Sequence, residues 1–400
     1  YIYKLLDSIF PETVFPMAGA MLFITNGNIL WGFFSGMEIC IFAAAITAAL
    51  YYISRPGDTV KQMAALSLVS VIRPEGFILV LIFAGIRFVF WVLSGGREKF
   101  FIYMIPLIPG AAYFYMNYHF TGDPMPFTMR AKSDFSSPFF YHPELLKNGI
   151  YKYIDFMKRV INGAEEHYYL RYSLFLFLLG AAPGAVREAA AKKPGIFITG
   201  FLWFFIGVMA TVFSSFFSVH NYRYAMPFTA VFAVFMAVGL GHLLGAIRFK
   251  KESYTALFRT AVISLFFVFN FFTIAANVVN FGRDCRDIHA QSISAGLWIK
   301  ENLPKEARVA INDAGAVTYY SDARVFDLVG LVTKGNARIF RNGIGSVYEE
   351  IEHSKPDYFM IHLGWFNYER FDFFGRERLV TFNIDREPPY YCLLYTSPSP

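Results

Sequence analysis

Nine stretches of the chain stay apolar for about as long as a helix needs to cross a bilayer, and no other feature restricts the fold as strongly. A helix rising about 1.5 Å per residue needs roughly 20 apolar residues to span about 30 Å of hydrocarbon. The stretches are 13–31, 37–54, 60–73, 76–94, 100–120, 169–183, 195–218, 223–246 and 257–280. In hydrocarbon each backbone N–H and C=O must find its partner within the protein, so helices are expected here. The third and sixth stretches are short, and tilting, re-entry or a break near Pro74 and Pro183 is expected of them.

Charge separates this part of the chain from the rest. Of 66 Asp, Glu, Lys and Arg residues, 36 lie in the first 280 positions and 30 in the last 120. Charged residues are 16% of the whole and hydrophobic ones 56%, with 47 Phe and 25 Tyr, where a soluble domain carries about 25% charge. This pattern excludes a single soluble globule, a disordered chain and a nucleic-acid binder. Residues 1–280 hold 22 basic and 14 acidic side chains, an excess suited to lipid head groups. Three cysteines, Cys40, Cys285 and Cys392, are too scattered for a disulfide framework or a zinc site.

The fold class expected is mainly α: a polytopic membrane protein of eight or nine transmembrane helices over 1–280, followed by a small α/β domain over 281–391. The opening YIYKLLDSIF reads as the exit of an element already under way, so the chain is expected to be an N-terminally truncated fragment. Residues 392–400, CLLYTSPSP at the end, are expected to be a non-native tail.

Lys and Arg in short connections orient the spans. Lys4, Arg55, Lys61, Arg97, Lys99, Arg187, Lys192, Lys193, Arg248, Lys250, Lys251 and Arg259 fall on one side, against Arg73 and Arg223 on the other. The first side is therefore expected to be cytoplasmic. The loop 121–168, the tail from 281, and the short connections SerGlyMetGlu (35–38), ArgProGluGly (73–76) and HisAsnTyrArgTyr (220–224) are then extracytoplasmic. Within the loop, Leu145, Leu146, Ile150, Tyr153, Ile154, Met157, Val160 and Ile161 repeat at helical steps. That predicts an amphipathic helix lying on the membrane surface or packing on an extracytoplasmic domain. In the tail, ARVAIN, ARVFDLVGL and DYFMIHLG predict three strands alternating with helices.

Five passages taken in order resemble the polytopic GT-C glycosyltransferases, in particular bacterial relatives of protein O-mannosyltransferases and mycobacterial arabinofuranosyltransferases. They are SGMEICIFAAAITAAL (35–50), SVIRPEGFILVL (70–81), YHFTGDPMPFTMRAKS (118–133), INDAGAVTYYSDARVFDLVGL (311–331) and, more loosely, RYAMPFTAVF (223–232). The resemblance implies transfer of a sugar from a polyprenyl-phosphate donor to an extracytoplasmic glycan, lipid or protein acceptor, with inversion. It implies a catalytic carboxylate in a loop after the first span, which would precede Tyr1. No catalytic residue is therefore assigned within this sequence.

Inverting transfer needs a base for the acceptor proton and a cationic environment for the departing phosphate. Arg223, beside His220 and Tyr222, suits the phosphate because a guanidinium donates in pairs and stays charged; an interfacial arginine anchored among tyrosines is the plainer alternative. Arg73 and Glu75 flank Pro74 and either line the cavity or form a helix-ending ion pair. Glu38 either meets substrate or favours a helix N-terminus. In the loop, Asp123, the most exposed carboxylate expected there, could orient the acceptor or bind a divalent cation, although GlyAspPro commonly starts a turn. Arg130 and Lys132 could meet lipid phosphate. Asp313 and Asp327 either approach over the cavity or cap turns. No His set has metal-ligand spacing. A transporter or lipid flippase is the competing class, and a ligase moving a whole lipid-linked oligosaccharide is a variant within the transferases.

Overall fold

The computed structural model describes residues 1–400 except 12, 56, 97–99, 140, 162–172, 363–377, 384–390 and 397–400. Arg97 and Lys99 of the basic set, and 162–168 of the loop, lie outside the described residues. The helices in chain order are α1 (Ile2–Ile9), α2 (Phe15–Ile24), α3 (Gly27–Phe34), α4 (Ile39–Ile53), α5 (Thr59–Ile72), α6 (Pro74–Leu93), α7 (Leu107–Thr121), α8 (Phe127–Lys132) and α9 (Pro143–Phe156). They continue with α10 (Ser173–Ala190), α11 (Ile196–Val212), α12 (Val219–Tyr222), α13 (Met226–Ala246), α14 (Glu252–Ile288) and α15 (Ser294–Asn302). In the tail, α16 (Ala316–Ser321), α17 (Asn336–Asn342) and α18 (Ile344–Ser354) alternate with strands β1 (Arg308–Ile311), β2 (Arg324–Asp327), β3 (Tyr358–His362), β4 (Arg378–Asn383) and β5 (Tyr391–Thr396).

The chain divides into a helical unit, 1–116 with 146–279, and a mixed unit, 117–145 with 280–400. The loop read as one element over 121–168 is thus shared between them. Among the described residues five helices are long and apolar enough to cross a membrane: Pro74–Leu93, Phe100–Thr121, Ser173–Ala190, Met226–Ala246 and the continuous run Glu252–Asn302. Four more, α2, α4, α5 and α11, are apolar but shorter. These apolar helices are compatible with membrane integration.

One expected span is not a single helix. The stretch 13–31 breaks into α2 and α3 at Thr25 and Asn26. The reason is local: the Asn26 side chain accepts a hydrogen bond from the Ile29 amide at 3.2 Å, capping α3, and Asn competes for backbone donors in this way.

In the helical unit α13 is central, packing against α2, α4, α10 and α11. Phe177, Phe204 and Phe232 form its aromatic contact, with Phe177 and Phe232 stacked at 5.3 Å. Trp203 on α11 donates its indole N–H to the Leu79 carbonyl of α6 at 2.8 Å, so this buried polar atom also ties two helices. The α10 and α13 backbones meet at Gly180 and Gly239. A Cβ on Gly180 would strike the Phe235 carbonyl, and one on Gly239 the Leu176 carbonyl and, at 3.0 Å, the Gly180 nitrogen. Small residues allow such approach where hydrophobic driving force between helices is weak.

Helix α9 runs on through a π-helical turn, Met157–Ile161. Its C-terminal part is buried through Phe156, Met157, Val160 and Ile161, while Leu146, Ile150 and Ile154, four residues apart, stay exposed. The helix packs within the helical unit: Lys152 donates to the Ser214 carbonyl at 3.1 Å, and Gly149 faces the Phe213 ring.

The mixed unit carries a five-stranded sheet in the order β2-β1-β3-β5-β4. The three expected strands are β1, β2 and β3, mutually parallel where paired. β5 lies antiparallel between β3 and β4. Residues 392–396, set aside by the sequence reading as tail, therefore form part of an inner strand, with Cys392 to Thr396 opposite His362 to Tyr358. Their LeuLeuTyr run fits a strand because its backbone is paired on both sides, and the reading of 392–396 as outside the fold is corrected.

The glycine crossing predicts that Gly239→Val destabilises the protein by about 1–3 kcal/mol through overpacking. Gly245→Ala, where added carbon meets open space, changes stability by less than about 1 kcal/mol. Thermal unfolding in detergent checks both.

Candidate functional site

Three helices start around one group of charges in the helical unit. Glu38 is the residue before α4, Arg73 the residue before α6, and Arg223 lies three positions ahead of α13. The three short connections expected on one face therefore do come together. Arg259, from the opposing basic set, donates to the Leu244 carbonyl at 3.0 Å, at the other end of α13. A 21-residue helix puts about 30 Å between these ends.

Arg73 is only 6% exposed. Its backbone is extended, ending α5, and Pro74 opens α6, where a missing N–H costs nothing. Its fork meets Glu75 twice, Nε to Oε2 at 3.2 Å and Nη2 to Oε1 at 3.3 Å. Glu38 Oε1 lies 3.5 Å from Nη1, with the Glu38 side chain 53% exposed. The cation also faces the Phe42 ring at 5.8 Å and the Tyr224 ring at 5.5 Å. Gly76 completes the turn: a Cβ there would strike the Val69 carbonyl of α5. ArgProGluGly thus builds a helical hairpin around a neutralised arginine.

Arg223 differs. It donates from Nη2 to the Tyr224 hydroxyl at 3.1 Å and from Nη1 to the Met37 sulfur at 3.3 Å. Its guanidinium lies 5.0 Å from the Tyr224 ring centroid. Among the described residues no carboxylate forms an ion pair with it. Tyr224 therefore stands against two guanidinium groups, one neutralised by carboxylates and one not. Thioether and phenol are weak neutral partners, so Arg223 retains a full charge and donors suited to an oxyanion.

Tyr222 does not join this group. Its backbone adopts φ +55°, and its ring packs on Phe156 at 5.3 Å and Phe217 at 5.5 Å. The left-handed turn packs this side chain, which the sequence reading placed against substrate, on the aromatic core. The side chain of His220 lies outside the described residues. Sequence reasoning missed Met37 and Tyr224; Tyr224 carried a signal in its adjacency to Arg223.

Asp123, expected to be the exposed carboxylate of the loop, is 5% exposed. Arg130 Nη2 reaches Oδ1 at 2.7 Å and its Nε pairs with Oδ2. Arg338 of α17 donates to Oδ2 at 3.3 Å, and the Met125 amide to Oδ1 at 3.0 Å. The turn alternative was the sounder part of that reading, since Met125 closes an Asx turn. A second pair, Arg341 to Asp134 at 3.1 Å, repeats the pattern three residues along α17. Ala131 packs with Val329 and Ala337 between the pairs. Within the mixed unit, Asp123 and Asp134 thus tie segment 117–145 to α17 through Arg338 and Arg341, with Arg130 also on Asp123. Lys132 ends α8, half-buried. Arg338 and Arg341 had only their helical spacing as a signal.

Burial alone would raise the Asp123 carboxyl, but Arg130, the Met125 amide and Arg338 hold it below the ordinary carboxylate range. Asp327 is fully buried at the end of β2. It accepts from the amides of Val329 and Val332 at 2.9 Å, and from Leu331. Burial pushes this carboxyl up against the pull of those amides. It caps a turn, while Asp313 instead lies 4.0 Å from His362 Nε2. Burial lowers the His362 pKa and Asp313 opposes the shift. Among the described residues no cluster of three or more His, Cys, Asp or Glu could hold a metal ion.

Residues 283–395 match the family model of a domain of unknown function, DUF8728. The match covers the tail sheet through most of β5. No curated protein matches the chain.

Asp123→Asn is expected to destabilise the protein by about 1.5–3 kcal/mol at neutral pH, the worth of hydrogen bonds to a charged group. A depressed folded pKa gives stability that is present above the unfolded value of about 3.9 and is lost as pH falls through the lower folded value. The gap between variant and parent should therefore begin to shrink as pH falls below about 3.9 and close only below the lower folded value, as read from unfolding across pH.

Proposed function

We propose that the chain is part of a membrane glycosyltransferase that takes sugar from a polyprenyl-phosphate donor. The single observation behind this reading is the contrast between the two arginines: Arg73 is neutralised by Glu75 and Glu38, whereas among the described residues Arg223 donates to Tyr224 and Met37 and pairs with no carboxylate. In inverting transfer the acceptor oxygen forms its bond to the anomeric carbon as the bond to phosphate breaks. The phosphate leaves with the electron pair, and the acceptor proton goes to a carboxylate base. Developing charge on phosphate is stabilised by donors already in place. Arg223 is given that role, with Tyr224 and Met37 holding its fork; Arg73, Glu75 and Glu38 form the scaffold. The proposed location is an extracytoplasmic site at the N-terminal ends of α4, α6 and α13, in the bacterial inner membrane, acting on a glycan, lipid or protein acceptor.

A second reading, a transporter or lipid flippase, draws on the discontinuous pair α2 and α3, since broken helices mark binding sites in transporters. Arg223→Ala in the full-length protein should lower sugar transfer from polyprenyl-phosphate sugar by about 10- to 100-fold, equivalent to about 1.5–3 kcal/mol, and leave expression intact. Arg73→Ala should instead reduce folded yield, because it strands two carboxylates. Unchanged transfer in Arg223→Ala would remove it from the site. Lipid translocation by vesicles containing the protein, without sugar transfer, would favour the second reading.

A further inference from the structure

Arg87 lies inside the apolar helix α6, and neither reading uses it. It is the fourteenth residue of α6 (Pro74–Leu93), so about 20 Å of helix separates it from Arg73 and about 9 Å from the C-terminal end. It therefore belongs to the opposite leaflet from the Arg223 group. Its guanidinium lies 4.6 Å from the Tyr103 ring centroid and 5.3 Å from that of Phe83. These two rings meet edge to face at 5.8 Å. Its Nε is buried without a hydrogen-bond partner. Among the described residues no carboxylate pairs with it. An ionised side chain at membrane depth is costly unless paired or hydrated. Aromatic stacking offsets part of that cost but uses the face of the guanidinium and leaves the in-plane donors of the fork unused.

We infer that Arg87, seated on Tyr103 and Phe83, binds the phosphate of an anionic membrane lipid in the leaflet away from Arg223. A planar fork held by two rings presents paired donors to phosphate oxygens, which a flexible ammonium does not do. The reach from Arg87 to the helix end is within what a long side chain covers by extending toward the head groups. The inference rests on α6 lying in the membrane and is independent of the transferase reading.

The test compares parent, Arg87→Gln, Arg87→Lys and Tyr103→Leu in full-length protein purified in an uncharged detergent. Each is titrated with phosphatidylglycerol, phosphatidylcholine or inorganic phosphate, and both thermal stability and retained lipid by native mass spectrometry are read. Phosphatidylglycerol should raise the melting temperature of the parent and remain bound. Arg87→Gln should lose at least tenfold in retention and show no lipid-dependent shift, with Arg87→Lys and Tyr103→Leu intermediate. Without lipid, Arg87→Gln should be as stable as the parent or more so, because it removes an unpaired charge. Equal lipid response in parent and Arg87→Gln would overturn the assignment. So would a lipid-free Arg87→Gln that melts below the parent, which would mean that the charge has an internal partner. An inorganic phosphate effect matching that of phosphatidylglycerol would overturn the lipid as ligand.

Discussion

Burying a guanidinium without a counter-charge is costly, and the helical unit meets that cost at Arg73 with two carboxylates. Removing an ion from water costs several kcal/mol, and only good geometry with further hydrogen bonds repays it. Here the repayment is double, from Glu75 on the same turn and from Glu38 at the start of another helix. Because Glu38 precedes α4 and Arg73 precedes α6, the pair also sets where those helices begin relative to one another. Tyr224, against the same guanidinium, places the start of α13.

The same accounting distinguishes the other charges. Asp123 and Asp134 are buried in the mixed unit and each meets arginine from α17. They are structural because their valence is used. Asp327 is buried with amides in place of a cation, which suits a carboxylate that closes a turn. Arg223 and Arg87 are held by aromatic or neutral groups and, among the described residues, pair with no acid. In a low-dielectric setting a cation left in that state is where an external anion gains most. One lies just ahead of α13 and the other fourteen residues into α6.

Much of the fold was legible in the chain because hydrophobic length and period are local properties. The long apolar helices, the short Thr59–Ile72 segment ending at Pro74, and strands β1 to β3 all follow from such patterns. The break at Asn26 was hidden by the apolar residues around it, since a single capping side chain outweighs them. The strands β4 and β5 were missed because an antiparallel pair joined to a parallel sheet depends on a partner far away in sequence. At the candidate site, Arg73, Glu75, Glu38 and Arg223 were named from the sequence, and the structure brings them close together. Their pairing was not visible in the sequence, and Tyr224, which the reading did not name, is the tyrosine that meets both arginines.

By itself the sequence determined that the first 280 residues hold several long apolar helices, and that the tail is a mixed α/β segment. Those follow from the length, period and charge of contiguous residues. Only the tertiary structure decided which charges are spent and which are not. Whether an arginine holds a fold together or waits for an anion depends on a carboxylate that can lie 35 residues away, as Glu38 does from Arg73. No local pattern carries that distance, because pairing is a property of three-dimensional proximity and of burial.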